Sequence, residues 1–158
     1  MFPPETMQTM RPVPARPETA AATASALAAL SPATRVYACE PETGAPVAAT
    51  LANNGVPVAV DYHPSFVDGA GSKALLPPMW ERARELLSGS HVVSLDETAA
   101  AVRLLAERTR VVAEGAGALA VAAAVSRRAV TGRIVCIVSG GNIDSSRLAA
   151  ILAGRTPD

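Results

Sequence analysis

An apolar run that stops abruptly at a glycine turn constrains the fold of this chain most. Residues 134–138 read IVCIV, the run ends at Ser139-Gly140-Gly141-Asn142, and a helical pattern begins at about Ser145. Five consecutive apolar residues are typical of a strand buried on both faces, and α/β sheets bind ligands at the carboxyl ends of such strands. The segment therefore predicts a buried strand, a glycine turn and a helix, with a ligand site at the turn.

The rest of the chain alternates short apolar runs with alanine-rich helical segments. Strands are expected at 35–39, 91–94 and 134–138, an edge strand at 56–60, and helices at 18–30, 45–51, 77–87, 96–108, 117–127 and 145–152. Asp96 is expected to cap the helix at 96–108. Such alternation is typical of an α/β fold, and it predicts a three-layer sandwich with a mostly parallel sheet. Five prolines among residues 1–18 predict a disordered arm, which leaves 19–158 as one domain.

Composition and charge exclude several classes of partner. The 14 basic and 14 acidic residues give a formal net charge of zero, and no basic block occurs, so neither nucleic acid nor an anionic membrane is an expected partner. No apolar stretch of membrane-spanning length and no signal peptide are found. Cys39 and Cys136 lie in apolar runs, which fits free thiols in a reducing compartment. We therefore expect a cytoplasmic protein.

Two polar positions beside glycines are candidates for chemistry. Glycines after a strand let the backbone approach a ligand, and the Ser139 hydroxyl could bond a heteroaromatic nitrogen; the alternative is a tight turn with Asp144 capping the next helix. Glu114 precedes Gly115-Ala116-Gly117. It either faces the same pocket as Ser139 or is stabilised only by the dipole of the helix that follows.

Acidic and imidazole side chains elsewhere give weaker signals. Glu40 and Glu42 follow a strand, where paired carboxylates either bind a hard cation such as magnesium or are simply solvated. His63 and His91 have no neighbouring acid or nucleophile in the sequence, so neither receives a role.

Five motifs between about Ala24 and Leu152 carry a family resemblance. They read VYACEPE at 36–42, FVDG at 66–69, VVSLDE at 92–97, VAEGAG at 112–117 and IVSGGN at 137–142. In this order they resemble the C-terminal half of the serine/threonine dehydratases, the ammonia-lyase branch of the fold-type-II, tryptophan synthase β-like enzymes that includes serine racemase. The resemblance implies that residues 19–158 are part of a pyridoxal-phosphate-dependent lyase domain, the C-terminal part of its large domain. Enzymes of this family carry out an α,β-elimination on a small hydroxy-amino acid and yield a 2-oxo acid and ammonia.

The resemblance also implies roles for individual residues. Ser139, in the turn with Gly140, would bond the pyridine nitrogen of pyridoxal phosphate, Glu114 would lie beside the ring, and Gly69 would line its edge through the backbone. A neutral hydroxyl leaves the ring a weaker electron sink than a carboxylate would, which suits β-elimination. For a divalent cation, Glu40 would match a ligand seen in some relatives, with the Gly44 carbonyl as a second. The third, acidic ligand falls at Pro46.

The parts of the family site that precede this region are not matched. They are the lysine that forms the Schiff base, the loop that binds the substrate carboxylate, and a glycine-rich phosphate cup. Lys73 is the only lysine and falls in the loop after Gly69, and Pro17-Glu18-Thr19 stands where the cup is expected. No catalytic residue is therefore assigned, and the chain is expected to be inactive alone. It is a lyase fragment, one chain of a split enzyme, or a non-catalytic interaction or regulatory module, and it is expected to form a homo-oligomer or to associate with a complementary chain.

Overall fold

The computed structural model describes residues 17–126 and 132–158 as a mixed α/β structure. Its helices are α1 (Pro17–Leu30), α2 (Pro46–Ala52), α3 (Pro77–Ala83), α4 (Leu95–Leu104), α5 (Gly115–Val125) and α6 (Ser145–Leu152), and its strands are β1 (Val36–Pro41) and β2 (Leu87–Val93). A π-helical turn, Leu105–Thr109, extends α4. The predicted arm lies outside the described residues as far as residue 16, and Pro17 already begins α1. None of the described helices is long and apolar enough to cross a membrane.

The two strands pair in parallel, which confirms the predicted fold class in its essentials. Cys39 on β1 lies opposite His91 on β2, and the pairing has an irregularity after Val36. Successive side chains of a strand point to opposite faces. Ala38 accordingly packs with Val47 of α2 and with α3, while Cys39 packs against the main core under α4 and α5. Helices therefore cover both faces of the sheet.

The loop between α2 and α3 contributes two of the most buried side chains. Phe66 and Val67 are almost fully inaccessible and belong to the same core cluster as Val93 of β2 and Leu119 of α5. This packing holds the middle of the loop, at Phe66 and Val67, against the N-terminal half of α5. It also sets the position of the residues that follow, including Gly69.

Two predicted strands are wrong in the described structure. Residues 134–138 lie outside regular structure and are mostly exposed, and residues 56–60 form no strand. A strand needs a hydrogen-bonding neighbour. Residues 134–138 have none among the described residues. In residues 56–60, Pro57 cannot donate a ladder bond, the Val56 amide bonds back to the Asn53 carbonyl at 3.0 Å, and the Val60 amide donates to the Lys73 carbonyl at 2.8 Å, so no ladder forms.

The start of α4 corrects a second prediction. Ser94, not Asp96, is the N-cap: its hydroxyl accepts from the Glu97 amide at 3.1 Å, and the Glu97 carboxylate accepts from the Ser94 amide at 2.8 Å. This reciprocal capping box satisfies two amides that the first helical turn would otherwise leave free. The helix predicted at 77–87 ends earlier, at Ala83, and the strand predicted at 91–94 begins earlier, at Leu87.

Candidate functional site

The candidate site is built where two loops meet the N-terminus of α5. A Cβ atom placed on Gly115 would lie 2.9 Å from the Phe66 carbonyl oxygen, and one on Gly117 would lie 2.7 Å from the Gly140 carbonyl oxygen. Side chains at these two helix positions would push both loops away, because backbone atoms cannot yield as a flexible side chain does. The glycines of the 112–117 motif therefore allow the loops 66–71 and 139–142 to rest on one helix end.

Glu114 lies at the centre of this contact. A Cβ atom on Gly140 would overlap its carboxylate, and one on Gly69 would lie 3.5 Å from its Oε1. The Glu114 amide donates to the Gly140 carbonyl at 3.1 Å, and Ser139 is exposed beside Gly140. The structure thus brings Gly69, Glu114 and Gly140 together, with Ser139 next to Gly140 in the chain, although Gly69 and Gly140 are 71 residues apart.

The simpler explanations, in which Glu114 and Asp144 only cap the helices that follow them, do not describe the contacts that these side chains make. Glu114 occupies the N-cap position of α5 but makes no capping hydrogen bond, and Asp144 occupies the N-cap position of α6 and makes none either. The carboxylate of Glu114 instead accepts from the Asn142 backbone N–H. Glu114 therefore connects α5 to the glycine turn rather than capping its own helix.

The carboxyl group of Glu114 has a raised pKa. Loss of contact with water is the main cause and the nearby Asp68 carboxylate is the second, while the hydrogen bond from the Asn142 amide opposes both. Asp68 in turn forms an ion pair with Arg147 of α6, with 3.6 Å between its Oδ2 and Nη1. Sequence reasoning missed this pair, because nothing in the spacing of Asp68 and Arg147 shows that they meet.

We expect the raised pKa of Glu114 to make stability depend on pH. Between the ordinary glutamate pKa of 4.5 and the higher pKa of the folded state, the folded state holds a proton that the unfolded state has lost, so stability falls as pH rises through this window. Glu114→Gln should flatten this fall. Urea denaturation of both proteins from pH 4 to pH 8 measures it, with the exposed Glu81→Gln as control.

Comparing the parent chain with Glu114→Gln isolates the effect of the Glu114 carboxyl on stability, even though the pKa of Glu40 is also raised. Glu40 contributes the same pH dependence to the parent chain and to both variants, so it cancels in the difference. Equal pH dependence in the parent chain and in Glu114→Gln would show that Glu114 titrates like a solvated carboxylate.

Glu40 is an internal anchor of the fold. Its side chain is 7% exposed, its Oε1 accepts from the Val47 amide at 2.8 Å, and its Oε2 accepts from the Ala48 amide at 2.8 Å and from the Ser90 hydroxyl at 2.7 Å. Burial raises the pKa of this carboxyl, and the three donors oppose that rise. One carboxylate thus ties β1, the start of α2 and β2 together.

Glu40 lies within β1 and Glu42 just after it, and both carboxylates accept backbone hydrogen bonds rather than being simply solvated. Glu42 accepts from the Leu95 amide at 2.8 Å, so it holds the start of α4. Gly44, the second predicted cation ligand, is buried, and its amide donates to the Pro41 carbonyl at 3.1 Å. The described residues contain no group of three or more His, Cys, Asp or Glu side chains that could hold a metal ion.

The remaining reactive side chains do not belong to this contact. Lys73 is exposed in the loop before α3, as the interpretation of a solvated loop lysine requires. Both cysteines are free thiols. Burial raises the pKa of Cys39 to about 11, with smaller contributions from Cys136 and Glu40, so Cys39 stays protonated and unreactive at neutral pH.

Comparisons with known proteins agree on one family. The family model described as pyridoxal-phosphate dependent enzyme matches residues 17–140. The L-threonine ammonia-lyase of Geobacter sulfurreducens is 32% identical over 131 residues, which cover 82% of this chain and 32% of that protein. The L-threonine ammonia-lyase of Thermotoga maritima is 33% identical over 128 residues, which cover 80% of this chain and 32% of that protein.

Solved structures give the same result. The processed threonine deaminase isoform 2 of Solanum lycopersicum matches with a TM-score of 0.75 and 26% identity over 85% of this chain and 40% of that one. Maize serine racemase matches with a TM-score of 0.74 and 27% identity over 84% of this chain and 42% of that one. The chain therefore has the fold of part of these proteins, and it spans about a third of the length of the two ammonia-lyases.

Proposed function

Because this chain belongs to the pyridoxal-phosphate-dependent enzymes, we propose that its glycine-lined contact at the start of α5 holds the ring of pyridoxal phosphate in an ammonia-lyase site. The observation that supports this most is the convergence of Gly69, Glu114 and Gly140 on one place. Three separate motifs meet there, although each of them alone has an ordinary structural explanation.

The residues at this contact fit a flat, polar-edged ring. Gly140 and Gly69 both present backbone without side chains next to Oε1 of the Glu114 carboxylate. The exposed Ser139 hydroxyl is the group that would hydrogen-bond the pyridine nitrogen, and Glu114 would lie beside the ring. When bound, pyridoxal phosphate supplies an electron-accepting ring that stabilises negative charge on the substrate Cα. The Ser139 hydroxyl would donate a hydrogen bond to the pyridine nitrogen, and as a neutral group it would leave the ring a weaker electron sink than a carboxylate would. Such a ring favours elimination at Cβ over reactions that need a long-lived carbanion.

We place the other groups of the site in polypeptide outside these 158 residues. Lys73 is exposed, and it is absent from the contacts of Gly69, Glu114 and Gly140 described above. A lysine that anchors the cofactor and a loop that binds its phosphate would therefore come from the part of the fold that the relatives have in addition. The substrate class would be a small hydroxy-amino acid, threonine or serine, and the free thiols of Cys39 and Cys136 favour the cytoplasm.

The test combines this chain with the missing part of a relative. We would use the portion of the Thermotoga maritima L-threonine ammonia-lyase that lies outside the region aligned with this chain. The chain alone is expected neither to bind pyridoxal phosphate tightly nor to release ammonia from threonine or serine. The mixture is expected to bind the cofactor, measured by its visible absorption, and to release ammonia.

Ser139→Ala tests the role of the hydroxyl in that mixture. Loss of one hydrogen bond to the ring nitrogen is expected to weaken cofactor binding about tenfold, the equivalent of about 1.4 kcal/mol. The matched control is Ser88→Ala, an exposed position on β2 that should leave binding unchanged. Unchanged binding in Ser139→Ala would remove Ser139 from the site, and ammonia release by the chain alone would contradict the division of the site.

A further inference from the structure

The segment 133–139 has the most strand-like sequence of the chain and yet lies outside regular structure. No backbone hydrogen bond joins it to any other part of residues 17–126 or 132–158. Its clearest polar contact is made by the Cys136 thiol, which donates to the Ala120 carbonyl of α5 at 3.4 Å. A row of free backbone donors and acceptors beside apolar side chains is a template for pairing with another strand.

From residue 135 onward the side chains of this segment alternate between bare and packed positions, whereas Ile134 is itself 46% exposed. Val138 packs against the main core and Cys136 contacts α5, whereas Val135 is 88% exposed and Ile137 is 50% exposed. A strand that is apolar on both faces belongs inside a sheet with helices on each side. One of these layers is present, as α5, and the other is not among the described residues.

Resting on the proposed function, we infer that the segment 133–139 is the docking edge for the rest of the lyase fold. A strand of that polypeptide pairs with the free backbone, and a helix covers Val135 and Ile137. A second copy of this chain fits less well, because edge-to-edge pairing satisfies the backbone but leaves the Val135 and Ile137 face uncovered. The relatives have enough additional chain for both elements, since the match covers 32% of the Geobacter sulfurreducens protein.

Docking at this edge would also order the glycine turn at residues 139–142. The segment runs directly into Ser139 and Gly140, and within residues 17–126 and 132–158 the backbone bond that holds Gly140 comes from the side of α5, where its carbonyl accepts from the Glu114 amide. Pairing on the other side would hold the turn at both ends. The site for the pyridine nitrogen would then be completed by assembly.

The experiment measures amide hydrogen exchange in the full chain, alone and mixed with the same portion of the Thermotoga maritima enzyme. Alone, the amides of residues 134–138 are expected to exchange rapidly, because they have no described backbone partner. In the mixture their exchange should slow by about 100-fold or more. Val135→Asp should weaken the complex by about 100-fold, because docking would bury an unpaired carboxylate. The matched control Val56→Asp, at a position that is 60% exposed, should not.

The outcomes separate this inference from the proposed function. Protection of residues 134–138 without cofactor binding supports the docking edge and contradicts the cofactor site, and it leaves the non-catalytic module as the function. No complex, a complex in which these amides exchange as in the isolated chain, or equal weakening by Val135→Asp and Val56→Asp overturns the docking edge. Protection that appears in the chain alone and grows with its concentration identifies a second copy as the occupant, which also overturns it.

Discussion

Phe66→Ala is expected to lower the free energy of unfolding by about 3–5 kcal/mol, the usual cost of deleting a fully buried aromatic ring. Phe66 is 2% exposed and packs in the main core. Its carbonyl oxygen lies against Gly115, so the ring also holds the loop 66–71 on α5. Urea denaturation followed by circular dichroism measures the change.

An exposed apolar side chain provides the control for Phe66. Leu76→Ala, at a position that is mostly exposed, should change stability by less than about 0.5 kcal/mol. A loss below about 1 kcal/mol in Phe66→Ala would mean that the loop does not pack on α5 as described. A further consequence is specific to the site: Phe66→Ala should speed amide exchange at Gly69 more than exchange within α3.

Glu40→Ala is expected to cost about 2–4 kcal/mol, because it leaves the buried amide of Val47, the Ala48 amide and the Ser90 hydroxyl without their acceptor. Glu40→Gln should cost less, since its amide keeps one acceptor oxygen of similar shape. The same denaturation measurement applies, with Glu81→Ala on the exposed face of α3 as the control.

The opposite result would change the interpretation of Glu40. If Glu40→Ala and Glu81→Ala cost the same, the hydrogen bonds at β1 would not stabilise the fold. If Glu40→Gln were as costly as Glu40→Ala, the negative charge at the start of α2 would matter more than the number of acceptors.

The cofactor motifs could be predicted from the sequence because they combine local and positional information. Gly69, Glu114 and Gly140 were identified because their motifs occur in the order that resembles one family, and not through strand positions, since none of the apolar runs before them forms a strand in the described structure. Their arrangement around Glu114 was not predictable, since it depends on which helix position faces which loop. The Asp68–Arg147 ion pair belongs to the same class of tertiary detail.

The predictions that were wrong or missing, for residues 134–138, the start of α4 and Glu40, failed for different physical reasons. The strand at 134–138 was predicted from side chains alone, but a strand also requires a neighbour for its backbone, and no described residue provides one. The capping box of α4 was visible in the sequence as Ser94-Leu-Asp-Glu97 and was overlooked in favour of Asp96. The hydrogen bonds of Glu40 had no such pattern in the sequence. Its two amide donors lie seven and eight residues away, and its third donor, Ser90, lies fifty residues away.

Two loops pack against the first turn of α5, and this contact restricts which substitutions the sequence tolerates. Gly115 faces Phe66 and Gly117 faces Gly140, so each helix position is matched to a residue far away in the chain. These pairs should be epistatic: a larger residue on one side is tolerated only with a compensating backbone shift on the other. A library that randomises positions 115 and 117 alone should return glycine, because even the Cβ of alanine would lie within 3.0 Å of a backbone oxygen. Joint randomisation with the facing loops is the only route to other residues.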